Sequence, residues 1–557
     1  LQQSVPSPSD VQATFVATLV DEWCRSGLRD VVVCPGSRST PLALAFALRP
    51  DLTLHVRIDE RSAAFFAIGR ALATHRPVAI VVTSGTAAAE LHAAVAEADL
   101  ASVPLLVLTA DRPPELHGVG APQTIVQSAL FGAMVRRFEE PGVARLEVSG
   151  SWRALANRLW SAALGTQHDP GPVHLNAAFV EPLLGTSLEL PEGRDEAIQW
   201  RVARGGADAV CDVDVRGRRV LAVVGRGTGS DIIAECEALD WVVLGDATAQ
   251  GSLAYFDTLL RDAAFAHAMK PDLVVRMGGA PASKVLAEQL RAWRAPTVGL
   301  TCAGRIDDPD GLVRELIAGR PSSGVERLRA DPSYAASWRT ASSSLEARLA
   351  SVETVDDELN EVIVARTVVA MSGELGVALT LGSSMPVRDV EWWSPPRRAA
   401  TYSNRGANGI DGVVSTVFGV CAGAKGLGLV GDITLLHDVS GLVDGLGETG
   451  GSCVLVVNDN RGGGIFSFLP QANALADERF EQLFATPRPH DLEGIARAFG
   501  HSSTSVRTRG ALRDAIARGL EHDGVTVVIA LVPARADNVK LHEALNRDVQ
   551  VRRGSAS

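Results

Sequence analysis

The sequence predicts an α/β protein made of three doubly wound parallel-sheet domains. Short runs of valine, isoleucine and leucine alternate with longer segments of helical periodicity, the pattern of successive βαβ units. Many of those runs end in Gly-, Ser- or Asp-bearing turns, where parallel sheets open on a ligand crevice. At 557 residues the chain has room for three or four domains of about 150 residues each. Polar stretches at 186–206, 321–331 and 351–357 divide it, so the expected domains are 1–190, 191–352 and 353–557.

Composition narrows the function classes. The chain is 46% hydrophobic and 21% charged, enough for several cores, and its net charge of −12 offers no basic footprint for nucleic acid. An anionic substrate would therefore need local clusters of arginine and lysine. Seven scattered cysteines (Cys24, Cys34, Cys211, Cys236, Cys302, Cys421, Cys453) with no C-x-x-C pair read as reduced thiols of a cytoplasmic protein. No apolar run is long enough to span a membrane, and the polar, Pro/Ser-rich first ten residues are unlike a signal peptide.

In the first third, a helical segment over 11–26 ends at Gly27, a C-cap residue. The strand at 31–34 feeds Pro35-Gly36-Ser37-Arg38, a turn whose free N–H groups and guanidinium suit a carboxylate or phosphate. A tight βα turn with a surface arginine fits the same residues. The strand at 54–58 leads to Asp59-Glu60-Arg61 and an apolar helix. Taken alone, Glu60 reads better as a first-turn acid complementing the helix dipole than as a functional group. The strand at 78–82 ends in Thr83-Ser84-Gly85, and the strand at 104–109 delivers Asp111-Arg112, with Gln123 in the loop beyond. A last strand is expected at 171–176. These strand ends would collect Arg38, Glu60, Ser84 and Arg112 on one rim.

The middle third repeats the pattern with strands at 220–224, 241–244, 273–277 and 297–300. The turn Gly225–Ser230 approaches a dinucleotide fingerprint, but Ser230 replaces its last glycine, so a plain tight turn is the better reading. Lys284 reads alone as a surface lysine, with an anion contact as the alternative. In the last third a helix at 358–371 precedes a strand at 377–381 and the turn Gly382-Ser383-Ser384 with Arg388, an echo of the segment from Val31 to Arg38. A loop rich in small and polar residues holds Arg405 and Ile410, followed by a helix at 413–424. Two apolar strands then end in Gly431-Asp432 and in Asn458-Asp459-Asn460-Arg461-Gly462, and a final strand lies at 525–532. A carboxylate, an amide oxygen and loop carbonyls are hard ligands suited to Mg²⁺ that also holds a diphosphate. From this stretch alone, two ordinary strand ends with turn-forming residues fit as well. There is no G-x-S-x-G elbow, no zinc spacing and no P-loop.

Taken together, these pieces resemble the thiamine-diphosphate enzymes, in which a Gly-Asp pair and a later Asn-bearing turn bind Mg²⁺ and the cofactor diphosphate. Gly431-Asp432 and Asn458-Asp459-Asn460 match that motif, and Glu60 stands where the family has its N-terminal-domain glutamate. Within the superfamily, Cys34–Leu42, Arg57–Arg61, Thr83–Ala87, Thr109–Pro113, Ser403–Gly406, Gly409–Gly412 and Gly463–Phe466 are similar to the MenD family of menaquinone biosynthesis. The resemblance spans about Val11 to Ala544 and is thinnest in the middle.

The resemblance implies a pyrimidine-binding first domain, a central domain and a diphosphate-binding last domain, assembled as a homodimer or homotetramer with the active site at the subunit interface. It implies thiamine diphosphate and Mg²⁺ (or Mn²⁺) as cofactors and Glu60 as the catalytic residue, bonded to the aminopyrimidine ring. Asp432, Asn460 and the Gly462 carbonyl would hold the metal. Ser84, Ser384, Ile410, Gly431, Ile465 and Phe466 would complete the cofactor site, with Ile410 beneath the rings. The implied substrates are the dianions 2-oxoglutarate and isochorismate. Ser37, Arg38, Arg112, Gln123, Lys284, Arg388 and Arg405 would bind them, with Phe466 and Leu469 as an apolar wall. The implied reaction decarboxylates 2-oxoglutarate and adds the remaining carbanion equivalent to isochorismate in a 1,4 sense. The alternatives are another thiamine-diphosphate decarboxylase or carboligase of acetohydroxyacid-synthase type, or an inactive relative that only binds. Arg461 departs from the family pattern; a cation beside Mg²⁺ is unfavourable unless its side chain points away.

Overall fold

The computed structural model describes residues 6–165, 169–193, 195, 209–353 and 357–554. Residues 1–5 of the polar N-terminal segment, 194 and 196–206 of the first polar stretch and 354–356 of the third lie outside the described residues.

Three sheets form, and every strand pairing within them is parallel. The first contains β1 (Asp30–Val33), β2 (Thr53–Val56), β3 (Val78–Val82), β4 (Leu105–Asp111), β5 (Phe138–Glu139) and β6 (Val173–Ala178), in the order β2-β1-β3-β4-β6-β5. The second contains β7 (Val220–Val224), β8 (Val242–Gly245), β9 (Leu273–Met277), β10 (Thr297–Leu300) and β11 (Glu315–Ile317), in the order β11-β10-β9-β7-β8. The third contains β12 (Ala378–Leu381), β13 (Thr401–Ser403), β14 (Lys425–Gly431), β15 (Ser452–Asp459), β16 (Ser502–Val506) and β17 (Gly524–Leu531), in the order β13-β12-β14-β15-β17-β16. The third sheet thus repeats the topology of the first strand for strand. The echo between Val31–Arg38 and Val377–Arg388 falls on the equivalent strands β1 and β12.

Central strands are buried on both faces, which is why they read as unbroken apolar runs: β3, β4 and β7 have no exposed residue. Val31, Val33, Val81, Leu106 and Leu108 pack with Phe15, Leu19 and Trp23 of the helix Pro8–Ser26 and with Leu155 and Leu159 of the helix Trp152–Ala163. Gly27 ends the first of these helices at φ 113°, as a left-handed C-cap.

The chain divides into two compact units. One is Leu1–Arg204 with Gly406–Ala424 and Asp438–Gly451; the other is Gly205–Arg405 with Lys425–His437 and Ser452–Ser557. The second and third sheets therefore share a unit, and two segments of the C-terminal third belong with the first sheet. Glycine contacts show why the first of these segments does so. The helix Val413–Cys421 crosses the helix Glu60–Thr74 at Gly69 and Gly419, where a Cβ at Gly69 would lie 2.2 Å from the Thr416 carbonyl and one at Gly419 2.2 Å from that of Phe66. The second segment is held by polar contacts. Arg57, buried against the Phe66 ring, donates to the Gly445 carbonyl at 2.8 Å, and Asp438 accepts from the Ser415 amide at 2.7 Å.

The polar stretch at 351–357 opens inside structure, since the helix Pro332–Glu353 runs into it and buries Tyr334, Trp338, Leu345 and Leu349. Over the turn at Gly225 the space is filled from within. A Cβ there would lie 2.5 Å from the Gly279 carbonyl, and the Arg226 amide donates to Asp246 at 3.0 Å. Among the described residues no helix is long and apolar enough to cross a membrane.

Candidate functional site

The C-terminal ends of four adjacent strands gather functional side chains in each of the two repeated sheets. In the first sheet Glu60 follows β2, Ser37 and Arg38 follow β1, Ser84 follows β3 and Arg112 follows β4. In the third sheet Arg405 follows β13, Ser384 and Arg388 follow β12, Asp432 follows β14 and Asn460 follows β15. Parallel sheets present ligand-binding groups at this edge because helix N-termini and free amides collect there.

In the first unit, a cavity of about 650 Å³ is walled by Gly36, Glu60, Ser84 and Gln123, with Asp59, Thr83 and Glu90 among its other polar neighbours. Gly36 is required by space, since a Cβ there would sit 2.3 Å from Thr83 Cβ. Glu60 is the first residue of its helix, and Asp59 caps that helix by accepting from the Ser62 amide at 2.8 Å. Capping is thus done by Asp59, leaving the Glu60 carboxyl available to the cavity. Burial raises its pKa, and the charges of Asp59 and Glu90 add to the rise. Such a carboxyl is poised to share a proton with a ligand.

Arg112 donates to the Ser84 hydroxyl and, at 3.0 Å, to the Gln123 carbonyl. Its pKa is lowered by burial and then by the nearby charge of Arg38. Arg38 is buried; it donates to the Phe179 carbonyl at 3.0 Å and pairs with the exposed Glu181 at 3.2 Å, while its Nε has no hydrogen-bond partner. Two guanidiniums thus lie near each other at this rim, an arrangement that suits an anion. Ser37 is exposed on the adjoining turn. Gln127, which sequence reasoning passed over, shapes this rim by accepting from the Gly85 amide at 2.8 Å and donating to Asn176 at 2.9 Å.

The loop that follows Arg405 is pinned in the first unit by Glu97, whose carboxylate accepts from the amides of Gly406 at 2.7 Å and Ala407 at 2.6 Å. Ile410 is half-buried on this loop.

In the second unit, Ser384 adopts φ 73°, ψ −129°, a conformation normally left to glycine, at the start of the helix Met385–Trp393. Its carbonyl accepts from Arg388 at 2.7 Å. Burial lowers the Arg388 pKa first and the charge of Arg405 lowers it further, so these two cations also form a pair. Lys284 opens the helix Lys284–Trp293 with its side chain 87% exposed, 3.6 Å from Glu288.

Asp432 is buried, its oxygens accepting from the amides of Ile433 at 2.8 Å and Gly462 at 2.7 Å. Its pKa is pushed up to about 7, chiefly by burial. Asn460 is buried too; its Oδ1 has no hydrogen-bond partner and its Nδ2 donates to Glu361 at 2.9 Å. The Gly462 carbonyl accepts from the Gly464 amide at 2.9 Å, leaving one lone pair. Among the described residues no three His, Cys, Asp or Glu side chains converge to hold a metal ion. A cation at this turn would instead meet one carboxylate and an orphaned amide oxygen, and Mg²⁺ completed by phosphate oxygens accepts so small a protein ligand set. The residues present fit such an ion, whose charge would also relieve the burial cost of Asp432.

Arg461 is exposed, with φ 63°. Its carbonyl accepts from Arg535, which also pairs with Glu481 at 2.7 Å and so braces the turn from the C-terminal helix. Gly431 ends β14 beside Asp432. Ile465 and Phe466 are half-buried in the short helix Gly464–Phe468, Phe466 lies 5.7 Å from the Phe484 ring, and Leu469 is 37% exposed.

Two family models match the chain. The model of the thiamine pyrophosphate enzyme N-terminal TPP binding domain matches residues 13–130, and that of the C-terminal TPP binding domain matches residues 382–530. The 2-succinyl-5-enolpyruvyl-6-hydroxy-3-cyclohexene-1-carboxylate synthase of Saccharopolyspora erythraea is 38% identical, with 98% of this chain and 99% of that protein covered. Those of Bacillus velezensis (95% of this chain, 96% of that protein) and Myxococcus xanthus (97% of each) are each 36% identical. Similarity at this level over nearly the whole length shows that the chain belongs to the thiamine pyrophosphate enzymes and, among them, to the family of the 2-succinyl-5-enolpyruvyl-6-hydroxy-3-cyclohexene-1-carboxylate synthases.

Proposed function

We infer that this protein decarboxylates 2-oxoglutarate and adds the resulting four-carbon carbanion equivalent to isochorismate. The products would be 2-succinyl-5-enolpyruvyl-6-hydroxy-3-cyclohexene-1-carboxylate and CO₂, in menaquinone biosynthesis. The printed activity of its relatives supports the reading. The observation that carries it in this chain is the pair of cation clusters, Arg38 with Arg112 and Arg388 with Arg405, at C-terminal strand ends of an otherwise acidic protein. Two dianionic substrates need such clusters; pyruvate, the substrate of an acetohydroxyacid-synthase-like enzyme, does not.

Thiamine diphosphate, when bound, supplies the carbon nucleophile and electron sink that decarboxylation of a 2-oxo acid requires. In this reading Glu60 would hydrogen-bond the aminopyrimidine ring of the cofactor and share a proton with it. Asp432, Asn460 and the Gly462 carbonyl would hold Mg²⁺ or Mn²⁺, and Ser384 and Gly431 would bind the diphosphate. Ile410 supports the rings. Arg38, Arg112, Arg388 and Arg405, with Ser37, Ser84 and Gln123, orient the carboxylates, and Ile465, Phe466 and Leu469 exclude water. We assign the first 190 residues to the pyrimidine side, 191–352 to the central domain and 353–557 to the diphosphate side. The working form is a cytoplasmic homodimer or homotetramer with active sites at the subunit interface.

Substrate choice tests the reading. With thiamine diphosphate and Mg²⁺ present, CO₂ release is expected from 2-oxoglutarate in preference to pyruvate by about 100-fold or more, because a pocket built for a second carboxylate is left with unpaired buried cations by pyruvate. Equal or greater release from pyruvate would favour the acetohydroxyacid-synthase-like alternative.

A further inference from the structure

Glu361 lies outside every motif discussed so far. It opens the helix Glu361–Leu375, after the cap Asn360, and looks in sequence like an acid placed to complement the helix dipole. Its side chain does something else. It is buried, and its Oε1 accepts from Asn460 Nδ2 at 2.9 Å, across 99 positions of sequence.

The two ends of an asparagine amide are nearly the same shape but opposite in chemistry. Only the oxygen can ligate a cation; the NH₂ end presents hydrogens. Whatever accepts a hydrogen bond from the nitrogen therefore decides what the other end offers. In Asn460 the nitrogen is held by Glu361 and the oxygen is left buried without a partner. Gly464 makes room for this arrangement, since a Cβ there would lie 2.6 Å from Asn460 Nδ2. On the metal-side reading of Asp432 and Asn460 given above, we propose that Glu361 is a positioning residue that fixes the Asn460 amide with its oxygen toward the divalent cation. The role requires an acceptor at Oε1 and no particular charge, so a glutamine carbonyl oxygen can replace it.

The test is Mn²⁺ affinity of the full chain, measured by electron paramagnetic resonance titration with thiamine diphosphate present, in the wild type and in Glu361→Leu, Glu361→Gln and Asn460→Ala. Partners behind a metal ligand typically contribute about 10- to 100-fold in affinity, and that loss is expected for Glu361→Leu. Glu361→Gln, which keeps the acceptor, is expected within about threefold of wild type. Added to Asn460→Ala, Glu361→Leu is expected to cost nothing more, because its effect passes through that amide. Wild-type affinity in Glu361→Leu, equal losses in the Leu and Gln variants, or additive losses in the double variant would each overturn the proposal. Should Glu361→Leu fail to fold, Gly464→Ala crowds the same amide nitrogen and is expected to weaken Mn²⁺ by about tenfold; wild-type affinity there would overturn it equally. A wild-type protein that takes up no Mn²⁺ would remove the metal reading itself. Normal wild-type uptake with unaffected variants would remove only the role of Glu361.

Discussion

Replacing Glu60 by Gln is expected to leave a folded protein that binds thiamine diphosphate yet turns over about 10²- to 10⁴-fold more slowly, the range that a proton-handling side chain contributes. The structure separates the two effects. Helix capping rests on Asp59, so the substitution spares the start of the helix Glu60–Thr74. Glu60 itself stands in the cavity wall, its carboxyl raised by burial and by the acids beside it. The amide fills the same space but cannot exchange a proton with the cofactor ring. Steady-state turnover at saturating cofactor, with the cofactor dissociation constant measured in parallel, checks it. Wild-type turnover in this variant would exclude the proposed role.

Asp432→Asn should act at an earlier stage, by removing the metal. In this reading Asp432 is the carboxylate that would meet the cation directly. Its loss should weaken Mg²⁺ or Mn²⁺ by at least about 100-fold, beyond what groups behind a ligand contribute. Both of its oxygens already accept backbone amides, and Asn can satisfy only one, so the Gly462 turn is expected to loosen as well. Cofactor retention on gel filtration in the presence of Mg²⁺ should fall together with activity. If the variant kept thiamine diphosphate and metal as tightly as wild type, the site would have to lie elsewhere.

Much of this was legible in the sequence, for identifiable reasons. Buried central strands announce themselves as apolar runs, so β3, β7, β9 and β10 were expected at their observed bounds. The Gly-Ser-Arg echo between β1 and β12 foreshadowed the repeated topology, because the same turn chemistry serves the same place in both sheets. Three of the edge strands were not legible. β16, Ser502–Val506, is polar and half-exposed, and β5 and β13 are too short to carry a period. The helix Pro332–Glu353 lies between two polar stretches that read as a boundary, and its buried Tyr334 and Trp338 mark it only once the fold is known.

At the candidate site, the residues proposed to touch a ligand carry motifs, whereas those that hold them in place do not. Glu97, Gln127, Glu361 and Arg535 all act on backbone or side chains far away in sequence, and no local spacing links them to their targets. Their only sequence signal is a charged or amide side chain on an otherwise ordinary helix or loop. Lys284 shows the converse. Read alone it is a surface lysine at a helix start, and in the structure its side chain is 87% exposed beside Glu288.

The central claim is the joining of two dianions, and it is tested most directly by incubating the full chain with thiamine diphosphate, Mg²⁺, 2-oxoglutarate and isochorismate. Isochorismate should disappear only when 2-oxoglutarate is present, one CO₂ should be released per molecule consumed, and mass spectrometry should find the succinyl-bearing cyclohexene carboxylate. Cofactor-bound protein that releases CO₂ from 2-oxoglutarate but leaves isochorismate untouched would contradict the account.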